Sequence, residues 1–117
     1  MIVQYAAASI VSQNKQLCTP SSVDTIDSSN GQEDHVSMGA NAATKVYRVL
    51  DNVISVVAME WLTAAQGYDF RAGWEIGSEL ASLYQQLRGE ISFMELDRYL
   101  HDDIVCARTL LEKRIGA

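Results

Sequence analysis

VSMGANAATKVYRVLDNVISVVAMEWLTAAQ, residues 36–66, is the longest uninterrupted helical pattern in this chain of 117 residues. Its apolar side chains recur at helical spacing and predict one long helix with a sustained buried stripe. The second half is apolar on other faces too, so we expect this helix to have several helical neighbours in a bundle. Gly67 is expected to end the helix as its C′ residue. The stripe consists of two series, Val36, Ala43, Leu50, Val57 and Ala64, and Ala40, Tyr47, Ile54 and Trp61.

The amino-terminal segment predicts a second helix. Residues 2–17 contain no Gly or Pro, are rich in Ala and end in a polar run. This composition is typical of a helix that leads into a loop. Its first half is apolar nearly all round, so neighbours are expected on several sides.

The carboxy-terminal segment, residues 75–117, predicts shorter helices. One follows Ser78, a candidate N-cap, and ends at a glycine, while the last begins at Asp102 or Asp103. Residues 92–95, Ser-Phe-Met-Glu, have capping-box spacing and predict one further turn. No stretch predicts a strand. The fold class is therefore all-α, a long-helix bundle with two or three shorter helices, in a single helical domain over residues 1–117.

The composition narrows the classes of function. Nine basic residues against fifteen acidic ones give a net charge of −6, which argues against a nucleic-acid partner. No apolar run reaches the length of a membrane span, so we expect a cytoplasmic protein with no membrane partner. Cys18 and Cys106 have no metal-ligand spacing. We expect them to be free thiols, and no metal site is predicted.

A change in composition marks residues 18–34 as a loop. Pro20 disfavours helix at Thr19, and Asn30-Gly31 tolerates positive φ and predicts a turn. Loops of this length inside a compact domain are usually functional or disordered. This loop carries acidic residues to the start of the long helix, so we interpret it as a loop of the kind that forms an active site.

The candidate site is the cluster Gln32, Glu33, Asp34 and His35, which places an amide, two acids and an imidazole in consecutive positions. From the residues alone, two interpretations stay open. The acids can be first-turn residues that satisfy free N–H groups and complement the helix dipole. Alternatively, Glu33 accepts hydrogen bonds from a cationic or N–H-bearing substrate, such as an imidazole ring.

The other members of the cluster have alternatives of their own. Asp34 is expected to cap the helix. His35 is expected to be a hydrogen-bonded structural residue and not a metal ligand, because the other histidine, His101, is far away in sequence. Gln32 either orients Glu33 or holds the loop.

The residues around this cluster resemble a known family. The stretches that carry the resemblance are Ile2 to Ala8, Ser21-Ser22-Val23-Asp24-Thr25-Ile26, Ser28-Ser29-Asn30-Gly31, Gln32 to Gly39, Ala42-Ala43, Val49 to Val53 and Ala64-Ala65-Gln66-Gly67. In these stretches the chain is similar to the carboxy-terminal third of the histidine ammonia-lyases, which belong to the aromatic amino acid lyases. The resemblance is strong to Phe70 and weaker after it.

The resemblance implies the carboxy-terminal part of a lyase-like helical bundle, and the elimination of ammonia from L-histidine to urocanate in histidine degradation. It implies that Glu33 is catalytic and lies near the substrate imidazole, and we add Gln32 as a second candidate substrate-binding residue. The related phenylalanine lyases carry Gln at the matching position, so Glu33 favours the histidine-specific branch. Family members are homotetramers, so the resemblance also implies a homo-oligomer.

The sequence departs from the family in what it lacks. The family's electrophile is a methylidene-imidazolone (MIO) formed from an Ala-Ser-Gly tripeptide, and no Ala-Ser-Gly occurs in this sequence. Gly31 also stands where many members have Asn. We therefore expect a carboxy-terminal portion that is inactive alone, with the MIO in an intact parent protein. The alternatives are a non-enzymatic helical oligomerisation module, or part of another aromatic amino acid lyase or aminomutase.

Overall fold

The computed structural model describes residues 1–71 and 73–116. Over these residues the chain forms helices and no β-strand, so the predicted all-α class is confirmed. The helices are α1 (Ile2–Leu17), α2 (Gly39–Asp69), α3 (Ser78–Glu90) and α4 (Leu100–Ile115). None of the helices within the described residues is long and apolar enough to cross a membrane.

The chain divides into two compact units, Met1–Val53 and Ile54–Ala117. The first contains α1, the loop and the beginning of α2, and the second contains the rest of α2 with α3 and α4. A single domain over residues 1–117 stays a prediction.

Polar side chains join α1 to the beginning of α2 in the first unit. Asn52 Nδ2 donates to Gln13 Oε1 at 2.9 Å and to Asn14 Oδ1 at 2.7 Å. Lys45 Nζ donates to the carbonyl of Thr19 at 2.7 Å. No residue of α1 is buried. Since a closed apolar core is absent from residues 1–53, all of which are described, this unit depends on polar contacts and half-buried side chains.

The predicted stripe of the long helix is buried only in part. Tyr47 and Leu50 of that stripe are 78% and 55% exposed, whereas Trp61 packs against the core of the second unit. The buried residues of α2 are Ala58, Met59 and Ala65, which lie outside the predicted stripe. Because the second half of α2 carries apolar residues on every side, their spacing does not select a face, and the other helices of the unit do.

The ends of α2 also differ from the prediction. The helix begins at Gly39, not Val36, and it continues through Gly67 to Asp69. The expectation that Gly67 ends the helix is wrong, because Gly67 does not adopt the positive φ of a C′ glycine. The last turn is stabilised from outside, since the Asp69 carboxylate accepts hydrogen bonds from Arg88 of α3.

The second unit has a small buried core. Leu87 is fully buried and Ile91, just after α3, is nearly so. Alanines on the other two helices face them and allow close helix packing, and burying a leucine of this kind contributes about 2 kcal/mol. The core residues are Ala58, Ala65, Leu87, Ile91 and Ala107, with Trp61, Leu62, Tyr84, Cys106 and Leu110 packed against them.

The turn predicted at residues 92–95 is not helical, and that prediction is wrong. Ser92, the serine expected to act as a cap, accepts hydrogen bonds from Arg98 instead. Arg98 Nη1 donates to Ser92 Oγ at 3.0 Å, and its Nη2 donates to the Ser92 carbonyl at 2.9 Å. The segment between α3 and α4 is therefore held by side chains and not by a helical turn.

The ends of the short helices lie close to their predicted positions. Ser78 is the first residue of α3, and Gly77 takes the N-cap place expected for it. The last helix begins at Leu100, so Asp102 and Asp103 lie in its first turn, where their charge complements the helix dipole.

Candidate functional site

The loop before α2 closes on itself at Glu33. The Ser28 N–H donates to the Glu33 carbonyl at 2.9 Å, and the Glu33 N–H donates to the Ser28 carbonyl at 3.3 Å. This reciprocal pair is an isolated antiparallel bridge. The main chain of Glu33 is therefore fixed, although it lies in a segment with no regular secondary structure.

Left-handed backbone makes this closure possible. Ser29, Asn30 and Gly31 have φ values of 53°, 58° and 80°. The Gly31 N–H donates to the carbonyl of Ser28 at 3.1 Å, which completes a short 3₁₀ turn. The turn predicted at Asn30-Gly31 is confirmed. Its beginning at Ser29 was not predicted, because serine pays a steric cost of about 1–2 kcal/mol in this region.

A second contact joins the two sides of the loop farther from the turn. The Val36 N–H donates to Thr25 Oγ1 at 2.9 Å across eleven positions. A further hydroxyl lies at the start of the helix, where Ser37 Oγ accepts from the Gly39 N–H at 3.3 Å. Sequence reasoning did not identify Thr25 as a support, because threonine is common in loops and the spacing has no motif.

The side chains of the cluster are all directed to solvent. Gln32, Glu33, Asp34 and His35 are exposed. Within the described residues, none of these four side chains forms a hydrogen bond or an ion pair, so the amide, the carboxylates and the imidazole are open to a ligand or to another protein surface. A fixed backbone with open polar side chains is a property that binding loops share with other surface turns.

The supporting roles expected for Asp34 and His35 stay predictions. Asp34 lies before Gly39, the first residue of α2, and the first turn of that helix contains no acidic residue. His35 makes no side-chain hydrogen bond to a described residue. Gln32 donates its backbone N–H to the Ser29 carbonyl at 3.3 Å, so its main chain helps to hold the turn.

Metal ligation and disulfide chemistry have no support within the described residues. No group of three or more His, Cys, Asp or Glu side chains in residues 1–71 and 73–116 is arranged to hold a metal ion. Cys18 and Cys106 are free, as expected. Burial is the main cause that raises the pKa of the Cys106 thiol, which disfavours its reactive thiolate.

A polar network lies in the second unit, where the sequence predicted no site. Tyr84 Oη donates to Asp69 Oδ1 at 2.6 Å, and the Arg88 guanidinium donates to Asp69 Oδ2. The hydrogen bond to Asp69 is the main cause that raises the pKa of Tyr84. Gln66 Nε2 donates to the Met94 carbonyl at 3.0 Å and so holds the chain after α3. These contacts connect elements of the unit to one another, which is characteristic of a structural network.

Comparison with known proteins identifies the family of this helical chain. A family model described as aromatic amino acid lyase matches residues 1–89. The chain belongs to the aromatic amino acid lyase family, which confirms the resemblance read from the sequence.

Its relatives include histidine ammonia-lyases. That of Caldanaerobacter subterraneus subsp. tengcongensis is 50% identical over 104 residues, which cover 89% of this chain and 20% of the relative. That of Treponema denticola is 47% identical over 111 residues, which cover 95% of this chain and 22% of the relative. The chain thus spans about a fifth of the length of the curated relatives that it matches.

Solved structures share the fold. Histidine ammonia-lyase from Trypanosoma cruzi matches with a TM-score of 0.90 and 34% identity, over 97% of this chain and 23% of that one. Tyrosine aminomutase from Streptomyces globisporus matches with a TM-score of 0.88 and 31% identity, over 94% of this chain and 21% of that one. The fold is therefore shared by a lyase and an aminomutase.

Proposed function

We propose that this chain forms one wall of the active site of a histidine ammonia-lyase, which eliminates ammonia from L-histidine to give urocanate. The observation that carries the proposal is Glu33, whose backbone is fixed by Ser28 while its carboxylate is exposed and has no partner in the described chain. Identities of 47% and 50% to histidine ammonia-lyases support the choice of substrate.

Glu33 suits an imidazole substrate for a chemical reason. A carboxylate accepts a hydrogen bond from a ring N–H, which fixes both the orientation and the tautomer of the ring. Elimination breaks the Cβ–H and Cα–N bonds and forms a double bond conjugated with the ring, so ring charge changes in the transition state. A carboxylate held beside the ring can then stabilise the transition state more than the ground state. We propose that Gln32 binds the substrate or orients Glu33.

This chain does not itself supply the MIO electrophile. The two Ala-Ser pairs, Ala8-Ser9 and Ala81-Ser82, lie inside α1 and α3, and neither is followed by the glycine that cyclisation requires. The proposal therefore assigns the MIO, which supplies the electrophile of the family's chemistry, to the intact parent protein. The part assigned to this chain is to bind and orient the ring with Glu33.

Assembly is a further part of the proposal. Large apolar side chains are exposed on both helices of the first unit, including Ile2 at 79%, Tyr5 at 66% and Tyr47 at 78%. Apolar surface of this kind is characteristic of protein interfaces. We therefore propose a homo-oligomer, which is a tetramer in the intact parent. We also propose that the protein is located in the cytoplasm. The same exposed residues favour the second candidate, a helical oligomerisation module with no enzymatic role.

A chimeric enzyme tests the proposed function. The matching segment of the Caldanaerobacter relative is replaced by this chain, and products formed from L-histidine and L-tyrosine are identified by chromatography. We expect urocanate from histidine, and we expect a Glu33→Ala chimera with the same melting temperature to form far less. Formation of a β-amino acid from tyrosine would instead support an aminomutase. Full activity of the Glu33→Ala chimera would support the oligomerisation module.

A further inference from the structure

We infer that Thr25 is a positioning residue for Glu33: its hydroxyl holds in place the loop arm that carries the carboxylate. The inference rests on the proposed function, because it concerns the placement of the same carboxylate. It adds a residue outside the acidic cluster, and it follows from how the two sides of the loop are joined.

The loop consists of two arms of equal length on either side of the left-handed turn. The first arm is Thr25–Ser28 and the second is Glu33–Val36. The inner ends are joined by the reciprocal backbone bonds between Ser28 and Glu33, at 2.9 and 3.3 Å. The outer ends are joined by the Val36 N–H, which donates to Thr25 Oγ1 at 2.9 Å. Glu33 is thus the inner end of an arm whose outer end is held by Thr25.

The outer contact is the one that a side chain provides. The inner bonds join main-chain atoms, so no side-chain substitution removes their donors or acceptors. Asp34 and His35 lie between the inner and outer ends of the second arm. Their side chains are exposed and make no hydrogen bond within the described residues, so neither restrains the arm. Without the Thr25 hydroxyl, the Glu33–Val36 arm is held at its inner end alone. The backbone that leads away from Glu33 is then less restrained, and we expect the direction of its side chain to vary more.

A change in direction affects catalysis more than binding. A catalytic group displaced by about 1 Å can cost on the order of a hundredfold in rate. The loss of one exposed hydrogen bond produces a partial displacement, so we expect a smaller effect, about tenfold in kcat. The KM is expected to change by less than about twofold, because the rest of the substrate is held by other residues.

The first test measures the loop itself in the isolated full chain. Thr25→Val preserves the side-chain shape and removes the hydroxyl, whereas Thr25→Ser retains the hydroxyl. Amide hydrogen exchange at Val36, followed by NMR, is expected to accelerate several-fold in Thr25→Val and to remain near the wild-type rate in Thr25→Ser. The matched control is Thr109→Val, which removes an exposed threonine hydroxyl that donates to the Val105 carbonyl at 2.9 Å within α4.

The second test measures coupling to Glu33 in the chimeric enzyme. Thr25→Val is made alone and together with Glu33→Gln, and kcat for histidine is measured for each variant. If Thr25 acts through Glu33, the substitution lowers kcat in the Glu33 enzyme and has no further effect in the Glu33→Gln enzyme. Thr25→Ser is expected to restore most of the lost kcat.

The outcomes separate this inference from the proposed function. An equal decrease in kcat in both backgrounds would overturn the role of Thr25, since it would then act independently of Glu33. Equal losses in Thr25→Val and Thr25→Ser, or unchanged exchange at Val36, would also overturn it. If Glu33→Gln alone leaves kcat unchanged, the proposed function fails, and the positioning role fails with it.

Discussion

Replacing Arg88 by Ala is expected to destabilise the second unit more than any change to a surface ion pair. Arg88 donates to the Asp69 carboxylate through Nε, at 3.1 Å, and through Nη2. Its Nη1 donates to the Ile91 carbonyl at 3.1 Å and to the Ser92 carbonyl at 3.3 Å. One guanidinium thus connects the end of α2 to the segment after α3.

The expected cost follows from the burial of this pair. The side chains of Arg88 and Asp69 are 14% and 16% exposed. Removing one partner of a fully buried ion pair costs about 3–5 kcal/mol, because the other charge is left without a partner. With the remaining exposure, and with the hydrogen bond from Tyr84 retained, we expect about 2–3 kcal/mol. For a chain of this size this lowers the melting temperature by roughly 10 °C.

Urea unfolding of the isolated chain, followed by circular dichroism, measures the difference. The matched control is Arg114→Ala, which removes a partner from the Arg114–Glu79 pair, with a separation of 3.6 Å and side-chain exposures of 41% and 87%. An exposed pair of this kind contributes less than about 1 kcal/mol. If Arg88→Ala and Arg114→Ala have equal free energies of unfolding, the assigned role of Arg88 is refuted.

Three further predictions concern pH, glycine and activity. Because the pKa of Tyr84 is raised in the folded chain, the hydroxyl contributes stability below its ordinary pKa of 10.0 and loses that contribution as the pH rises through the higher folded value. In denaturant titrations, the difference in free energy of unfolding between wild type and Tyr84→Phe should therefore narrow above pH 10.0. A constant advantage across that range would contradict this. Gly31→Ala should lower the free energy of unfolding by about 1 kcal/mol, because φ is +80° there, whereas Gly67→Ala inside α2 should raise it by about 0.5–1 kcal/mol; changes of the same sign would refute the backbone explanation. The isolated chain should form no urocanate from histidine by ultraviolet absorbance, and turnover above a Glu33→Ala control would refute the need for an external electrophile.

Local sequence patterns predicted most of the helices. The limits of α1 at Ile2–Leu17 follow from an alanine-rich run without breakers, and Asn30-Gly31 predicted a left-handed turn. These features depend on residues close together in sequence, whose conformational preferences are largely intrinsic. The family could also be identified, because the residues that carry it lie in continuous stretches.

Features that depend on distant contacts could not be predicted. The buried face of α2 is selected by other helices, and its last turn at Asp69 is held by Arg88, nineteen positions away. Ser92 has the spacing of a cap, yet Arg98 takes both its hydroxyl and its carbonyl. In each case a side-chain contact from outside the local pattern, from as near as six positions away at Ser92, overrides a local preference.

The candidate site likewise combines features that the sequence predicted with contacts that it did not predict. The cluster Gln32 to His35 could be identified from its density of polar side chains, and the loop around it from Pro20, Asn30 and Gly31. The contacts that shape it could not, since the Val36 amide reaches Thr25 across eleven positions and no sequence motif describes that hydrogen bond. The roles of the cluster residues stay predictions.

The most direct test of the proposed role of Glu33 is kcat for histidine in the chimeric enzyme with Glu33→Gln, measured together with its melting temperature. Gln preserves the shape of the side chain and removes its charge. We expect kcat to decrease on the order of a hundredfold, with a melting temperature within about 2 °C of the parent chimera. Unchanged kcat, or a decrease in activity matched by an equal loss of stability, would contradict a catalytic role and would support Glu33 as a structural residue of the loop.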